Sequence, residues 1–299
     1  MKRCISLYFI LITLLYGDNH LDKNYEFAVN IGEYNKINQN KIKSIVSRIS
    51  KTFANRFDNK YGVNVTFIDN VDEVVDEYIR YKKYNSLVIY SSSYLKYMDK
   101  LKEVSKYFFT FDNNIDFQRY VLVVNNSSNI KSIKDIKNKK FLSFSSNDNY
   151  SDWLDYLTLK ELNKSYKKLI KEEINVEKDA GLVLKLFFDK GDFAVIRKSS
   201  YKDLVLLNPS IEKKVSILIE SEPIFFYGIG LFHKNTSEEI INGFDGIVID
   251  GSFNGEYNHL IKMLDSTKIK RIFPKDLEKL ETFYKKYVNL KRKVDVQAK

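Results

Sequence analysis

Hydrophobic and polar positions along this chain recur with two periods, and the periods alternate. Asn24 to Ile31 (NYEFAVNI) reads as a first strand, followed by the loop Gly32–Glu33–Tyr34–Asn35. Beyond it, Ile42, Ile45, Val46, Ile49, Phe53 and Phe57 are spaced at threes and fours, which predicts an amphipathic helix. A turn at Asn59–Gly62 leads to a second strand, Val63–Ile68, and Asn70 is placed to cap a helix over Val71–Tyr81. The run SLVIYSSSYLKYM then supplies a buried strand, Leu87–Tyr90, three serines and a new amphipathic start. Alternating strands and helices predict a parallel α/β sheet. Ligands of such sheets lie beyond the C-terminal ends of the strands, so Tyr34 and the Ser91–Tyr94 loop are cleft candidates by position.

A second α/β set begins at Phe117. Tyr120–Val124 has the β-branched composition of a buried strand, and Ile130, Ile133 and Ile136 share one helical face. A short strand, Phe141–Phe144, ends in a Ser/Asn/Asp loop before a helix from about Asp152 to Lys171. Another helix spans Lys178–Phe188, and a turn at Gly191 opens the strand Phe193–Ile196, which is followed by a polar loop. Ser216–Leu231 is a long extended run broken at Pro223, suited to a return crossing. The remainder reads as helices over 239–249, 257–264 and 276–290 that pack back onto the first set. Two crossings imply a discontinuous first lobe (24–118 and 228–290), a continuous second one (119–227) and a frayed tail, 291–299.

Composition is globular, with 44% apolar residues, and 299 residues suffice for two cores. The first seventeen residues have a basic start and an apolar run from Cys4 to Leu15, the layout of a secretory signal peptide cut after Gly17; an uncleaved anchor is the other reading. Cleavage would remove the single cysteine, and with it any disulfide or thiol chemistry. The formal charge of +10 would fall to near +8. Its lysines are spread along every amphipathic segment without forming an arm or a stripe, which reads as solvated surface and speaks against nucleic acid.

Enzyme constellations are nearly absent. His20, His233 and His259 have no metal-ligand spacing, and His233, ending a strand, reads as a surface or lobe-edge residue. There is no Gly-x-Ser-x-Gly elbow and no Walker loop. The sharper signal is Ser145–Ser146–Asn147–Asp148–Asn149–Tyr150–Ser151, where every residue can hydrogen bond and a helix dipole points in. An ordinary capped loop would look the same, and capping accounts for Asp148 and Asp152. Arg197, at a strand's C-terminal end, can grip an oxyanion bidentately or pair with Asp203 on the surface.

The order of elements, the centre IKSIKDIKNKK (Ile130–Lys140), the segment GDFAVIRKSSY (Gly191–Tyr201) and the return run SEPIFFYGIGLF (Ser221–Phe232) resemble periplasmic solute-binding proteins of the phosphate/phosphonate ABC-transporter type. The resemblance implies a type II periplasmic binding fold: two α/β lobes joined by two crossover strands that form a hinge and close over a solute. It implies a ligand set of Tyr34, Ser91, Ser92, Ser93, Tyr94, Ser145, Ser146, Asn147, Asp148, Asn149, Tyr150, Arg197, Tyr201 and Tyr227, with no cofactor and no metal. In the family, the second-lobe loop carries a Ser-Thr-Ser-Gly run. Here the glycine is missing, and Asp148 places a negative charge where an anion would sit. The partners implied are a small, anionic solute and the permease of an ABC importer. A membrane sensor (histidine kinase, chemoreceptor or cyclase) reading the closed form is the alternative, and an enzyme using the cleft lacks nucleophile–base sets. The chain is expected in the periplasm, as a monomer.

Overall fold

The computed structural model describes residues 24–30, 36–56, 62–68, 70–81, 83–112, 119–144, 148–176, 179–223, 228–246, 255–263 and 268–297. Two mixed sheets organise them. The first is six-stranded and built from β1 (Asn24–Val29), β2 (Gly62–Phe67), β3 (Ser86–Tyr90), β4 (Ser105–Asp112), β10 (Gly228–His233) and β11 (Lys268–Ile272), in the order β11-β4-β10-β3-β1-β2. The second contains β5 (Tyr120–Asn125), β6 (Lys140–Phe144), β7 (Glu172–Val176), β8 (Phe193–Arg197) and β9 (Val215–Glu220), in the order β7-β6-β8-β5-β9. Strands β1, β2 and β3 are parallel, as are β6, β7 and β8. The antiparallel members flank the crossings: β5 lies against β8 and β9, and β10 against β3 and β4. Both sheets carry helices, as an α/β pattern requires.

The interior strands follow from their sequences. All six residues of β5 are buried, so the continuous apolar run reflects cover on both faces. In β10, Gly230 faces Phe109 of β4, whose ring lies where a Cβ would be, within 2.0 Å. That close approach lets Phe109, Phe232 and Phe244 pack together at centroid distances of 4.8–5.8 Å, Phe232 edge to face on Phe244, and Phe109 tilted against both. Asn70 accepts from the Asp72 amide and caps helix α2 (Val71–Ile79). Ser132 and Asp135 form a capping box over a 3-10 turn, with Ile130, Ile133 and Ile136 all buried beneath it.

Several expectations change. Helix α3 (Ser91–Val104) starts directly at Ser91, with no loop after β3. Helix α4 spans Asp148–Leu162 instead of 152–171, ending at Asn163, which takes φ 52°, a left-handed conformation that asparagine tolerates. A helix, Lys198–Leu207, replaces the loop expected after β8. Helix α10 runs Pro274–Gln297, so residues 291–297 continue a helix where a frayed tail was expected; Phe283 and Tyr287 bury its inner face. Strands β7 and β11 escape the pattern because edge strands carry charges at half their positions. No helix among the described residues is long and apolar enough to cross a membrane.

His233 is buried, not at a lobe edge. Its ring stacks on Tyr81 at 4.2 Å, and its Nδ1 accepts from the Asn235 amide at 3.1 Å. Burial, aided by Lys234 and Lys106, pulls its pKa down to about 4. The unfolded imidazole gains its proton near pH 6.5, so between these values the unfolded state binds more protons than the native one. Stability therefore falls by about 1.4 kcal/mol per pH unit from 6.5 towards 4 on account of this residue. Urea titrations across that range should show the slope in the native protein and a flatter one in His233→Asn; identical slopes would remove His233 as the cause.

Candidate ligand cleft

Strand direction decides where a site can form. The C-terminal ends of β1, β2 and β3 lie at one edge of the first sheet, and those of β6, β7 and β8 at one edge of the second. Helices α3 and α4 rise from these edges, beginning at Ser91 and Asp148. Asn149 Nδ2 donates to Ser91 Oγ at 2.7 Å, and both residues are buried. One hydrogen bond thus joins the first turns of two helices from different lobes, where the positive ends of both macrodipoles converge. Such a meeting of amide donors suits an anion.

Beside it lies a cavity of about 770 Å³. Ser92, Ser93 and Lys96 line it from the first lobe, Ser143, Ser151 and Tyr166 from the second, and Tyr284 and Tyr287 from α10. Its polar wall mixes these hydroxyls with charges of both signs, among them Lys167, Lys168, Asp152 and Glu173. Burial pushes the Tyr166 phenol up to about 12 and raises that of Tyr287 further, so both remain hydrogen-bond donors at neutral pH. Asp155 is buried but satisfied: it accepts from Ser165 Oγ at 2.5 Å, the Tyr166 amide at 3.2 Å and Tyr287 Oη at 3.1 Å. Lys96 pairs with Asp72 at 2.7 Å, which holds the exposed Asp72 carboxyl below its usual range. Among the described residues no group of three or more His, Cys, Asp or Glu could hold a metal ion.

Two further fastenings frame the cleft. Glu281 of α10 is a buried carboxylate that accepts from Tyr94 Oη at 2.8 Å and Lys102 Nζ at 2.9 Å, both on α3. Two residues further along α10, Phe283 meets Tyr156 of α4 at a centroid distance of 5.0 Å, and Tyr287 reaches Asp155. The C-terminal helix therefore holds both lobes. At the crossings, Arg119 and Lys198 both donate to Glu220, whose carboxyl is held low mainly by Lys198. The Tyr120 and Ser221 main chains bond each other at 2.8 Å.

The expected site residues divide. Ser91, Ser92 and Ser93 and Asn149 come together at the helix starts, and Asp148 is the first residue of α4. Tyr94 turns inward to Glu281. Tyr150 is buried against Tyr120 at 4.8 Å, and Tyr201 is buried with its hydroxyl on the Val215 carbonyl. These three tyrosines are core: each occupies the inner face of a helix where the sequence suggested a loop. Arg197 ends β8 opposite Tyr120 and precedes the 198–207 helix. Tyr34, Ser145, Ser146, Asn147 and Tyr227 lie outside the described residues. Sequence reasoning missed Ser143, Tyr166, Glu281, Tyr284 and Tyr287. The i, i+3 spacing of the last two on a helix was the available signal.

A two-lobed α/β binding protein is the class these features define. Residues 39–277 match the family model described as the periplasmic substrate-binding protein of phosphonate ABC transporters. The chain belongs to that family of periplasmic substrate-binding proteins. Solved structures share the fold. A binding protein component of an ABC phosphonate transporter from Pseudomonas aeruginosa is 15% identical, with a TM-score of 0.57 over 93% of this chain and 99% of that one. PhnD1 from Prochlorococcus marinus, solved with methylphosphonate, is 13% identical, with a TM-score of 0.62 over 88% of this chain and 98% of that one. A Xanthomonas citri protein bound to ATP is 8% identical, with a TM-score of 0.65 over 90% and 98%. A search of curated proteins finds no match to this sequence.

Replacing Asn149 with Ala removes the inter-lobe bond and takes one donor from the buried Ser91 hydroxyl. The expected loss is about 1–3 kcal/mol of stability, seen as a melting temperature lower by several degrees in calorimetry. An unchanged transition would mean that the bond does not hold the lobes together.

Proposed function

We propose that this chain is the exported solute-binding component of an ABC importer and that it closes two lobes over a small phosphate- or phosphonate-like anion. Residues 24–118 with 228–290 form one lobe and 119–227 the other in this reading, and residues 1–17 act as the export signal. The observation that carries it is the convergence of two helix N-termini, one from each lobe, at the Ser91–Asn149 contact. An anion placed there takes amide and hydroxyl donors from both lobes only when they are closed, so its binding energy drives closure. Ser92, Ser93, Ser143 and Ser151 in the neighbouring cavity offer hydroxyl donors to the remaining oxygens of such a ligand. Arg197, at the cleft edge of β8, supplies the balancing charge. The bound, closed form then docks on the membrane permease.

A thermal-shift series with methylphosphonate, other phosphonates, inorganic phosphate and amino acids tests this reading. A ligand that binds only the native state raises the melting temperature with its concentration. The expected result is a rise with an oxyanion, weakened by about 1–3 kcal/mol in Arg197→Ala. A rise with amines or amino acids alone would overturn the anion assignment.

A further inference from the structure

The lysines that appear scattered along the sequence are gathered by the fold of the second lobe. Strand β5 ends, and β6, β7, β8 and β9 begin, at the sheet edge opposite the cleft. Four connections reach that edge, at 126–139, 163–171, 188–192 and 208–214. They contain eleven lysines against four carboxylates, so these stretches hold seven of the ten net positive charges of a 299-residue chain. Hydrogen bonds stitch them into one surface. The Asn138 amide donates to the Leu169 carbonyl and Lys171 to Lys139, each at 2.9 Å; Asp192 donates to Lys140, and Asn126 Nδ2 to Lys213, at 3.0 Å.

Three of the four carboxylates are committed locally. Asp135 closes its own capping box, Asp192 accepts from the Lys140 amide, and Asp189 accepts from Asn125. Of the eleven lysines only Lys214 finds a carboxylate within 4 Å among the described residues, namely Asp189 at 3.7 Å. All but Lys139 are exposed. Strand neighbours lie within a Debye length of one another, so the charges add to a single positive field. Three large apolar side chains stand out into solvent on this edge or next to it: Phe188 in one connection, and Leu206 and Leu207 at 82% exposure just before another. Phe188 extends past the ring of Phe187, which Lys214 covers.

We propose that this lysine-rich pole of the second lobe is a docking surface for an anionic phospholipid bilayer. Lysine ammoniums are point charges suited to a diffuse field of headgroups, and no arginine among the connections offers a planar fork for bidentate recognition. Exposed Phe and Leu among lysines are what an interfacial anchor inserts at the headgroup boundary. The pole lies at the opposite edge of the sheet from the helix starts at Ser91 and Asp148, and only its 163–171 connection borders the neighbouring cavity, through Tyr166, Lys167 and Lys168. This inference goes beyond the solute-binding reading and does not depend on which solute is bound.

Vesicle co-sedimentation of the full chain tests it, comparing phosphatidylcholine alone with phosphatidylcholine containing about one-third phosphatidylglycerol. The ratio of the two affinities, compared between the parent and a charge-reversed variant, is the readout, because the N-terminal run with its Lys2 and Arg3 is the same in both chains. The expected ratio is at least about tenfold, collapsing as NaCl rises from about 0.05 to about 0.5 M. It should also collapse in a quadruple variant, Lys134→Glu, Lys164→Glu, Lys171→Glu and Lys213→Glu, whose side chains are exposed and whose melting temperature should be unchanged. Phe188→Ser with Leu207→Ser should lower binding to anionic vesicles while leaving its salt dependence in place. Equal affinity for both vesicles, or a quadruple variant that binds like the parent, would overturn the proposal. Binding that appears only when a permease is embedded would also overturn it, assigning the pole to a protein partner.

Discussion

A parallel strand–helix–strand unit must leave a sheet at one edge and return at the other, and this constraint lays out the whole molecule. At the leaving edge the helices begin, and their free amides face the crossings between the lobes. At the return edge the chain makes tight turns, several with Asn or Asp in a left-handed conformation, at Asn129, Asn138, Asn163 and Asp189. The start of α4 at Asp148 and most of the lysine pole lie at the two opposite edges of the same second-lobe sheet. Because the chain crosses from the first sheet to the second and back, β5 enters and β9 exits at the cleft edge, and the two crossings lie together there. The ion cluster of Arg119, Lys198 and Glu220 sits on that junction.

The lobes are fastened unequally. The Arg119–Lys198–Glu220 cluster lies at the ends of neighbouring strands of one sheet, so it need not break when the lobes move. The Asn149–Ser91 bond and the Tyr287–Asp155 bond reach from one lobe's elements to the other's and must be remade when the lobes move. Glu281 makes α10 a firm part of the first lobe, since a buried carboxylate with two donors is costly to uncouple. Tyr287, less than two turns along, is then the reach of the first lobe into the second. The cleft is thus bounded on one side by a helix that the hinge must accommodate, and the free energy of closing is shared between ligand and protein contacts.

Family membership and the helix-terminus contact bear on different questions. Membership covers residues 39–277 and fixes the class and compartment. The solved relatives, at identities of 8–15%, share the fold alone. In the proposed reading, solute identity rests on this chain's own donors: Ser91–Ser93, Asn149, and the hydroxyls of Ser143, Ser151 and Tyr166.

Local periodicity alone determined the interior strands and most helices, because a two- or 3.6-residue repeat is written in consecutive side chains. Strand β5, the capping Asn70 and the buried Ile130–Ile133–Ile136 face were legible for that reason. The serines after β3 were legible as the end of a buried strand, but not as a helix start, since no turn residue marks where the strand stops. Edge strands β7 and β11 were illegible because one side and one face of each meet water, which leaves them no continuous apolar run. Tyr94, Tyr150 and Tyr201 looked like site aromatics until the helices turned them inward. Only the tertiary structure brought Asn149 to Ser91, 58 residues away, Tyr287 to Asp155, and eleven lysines from four connections to one pole. Those proximities depend on strand order and direction, which are set by long-range pairing and leave no mark on the spacing of neighbouring residues.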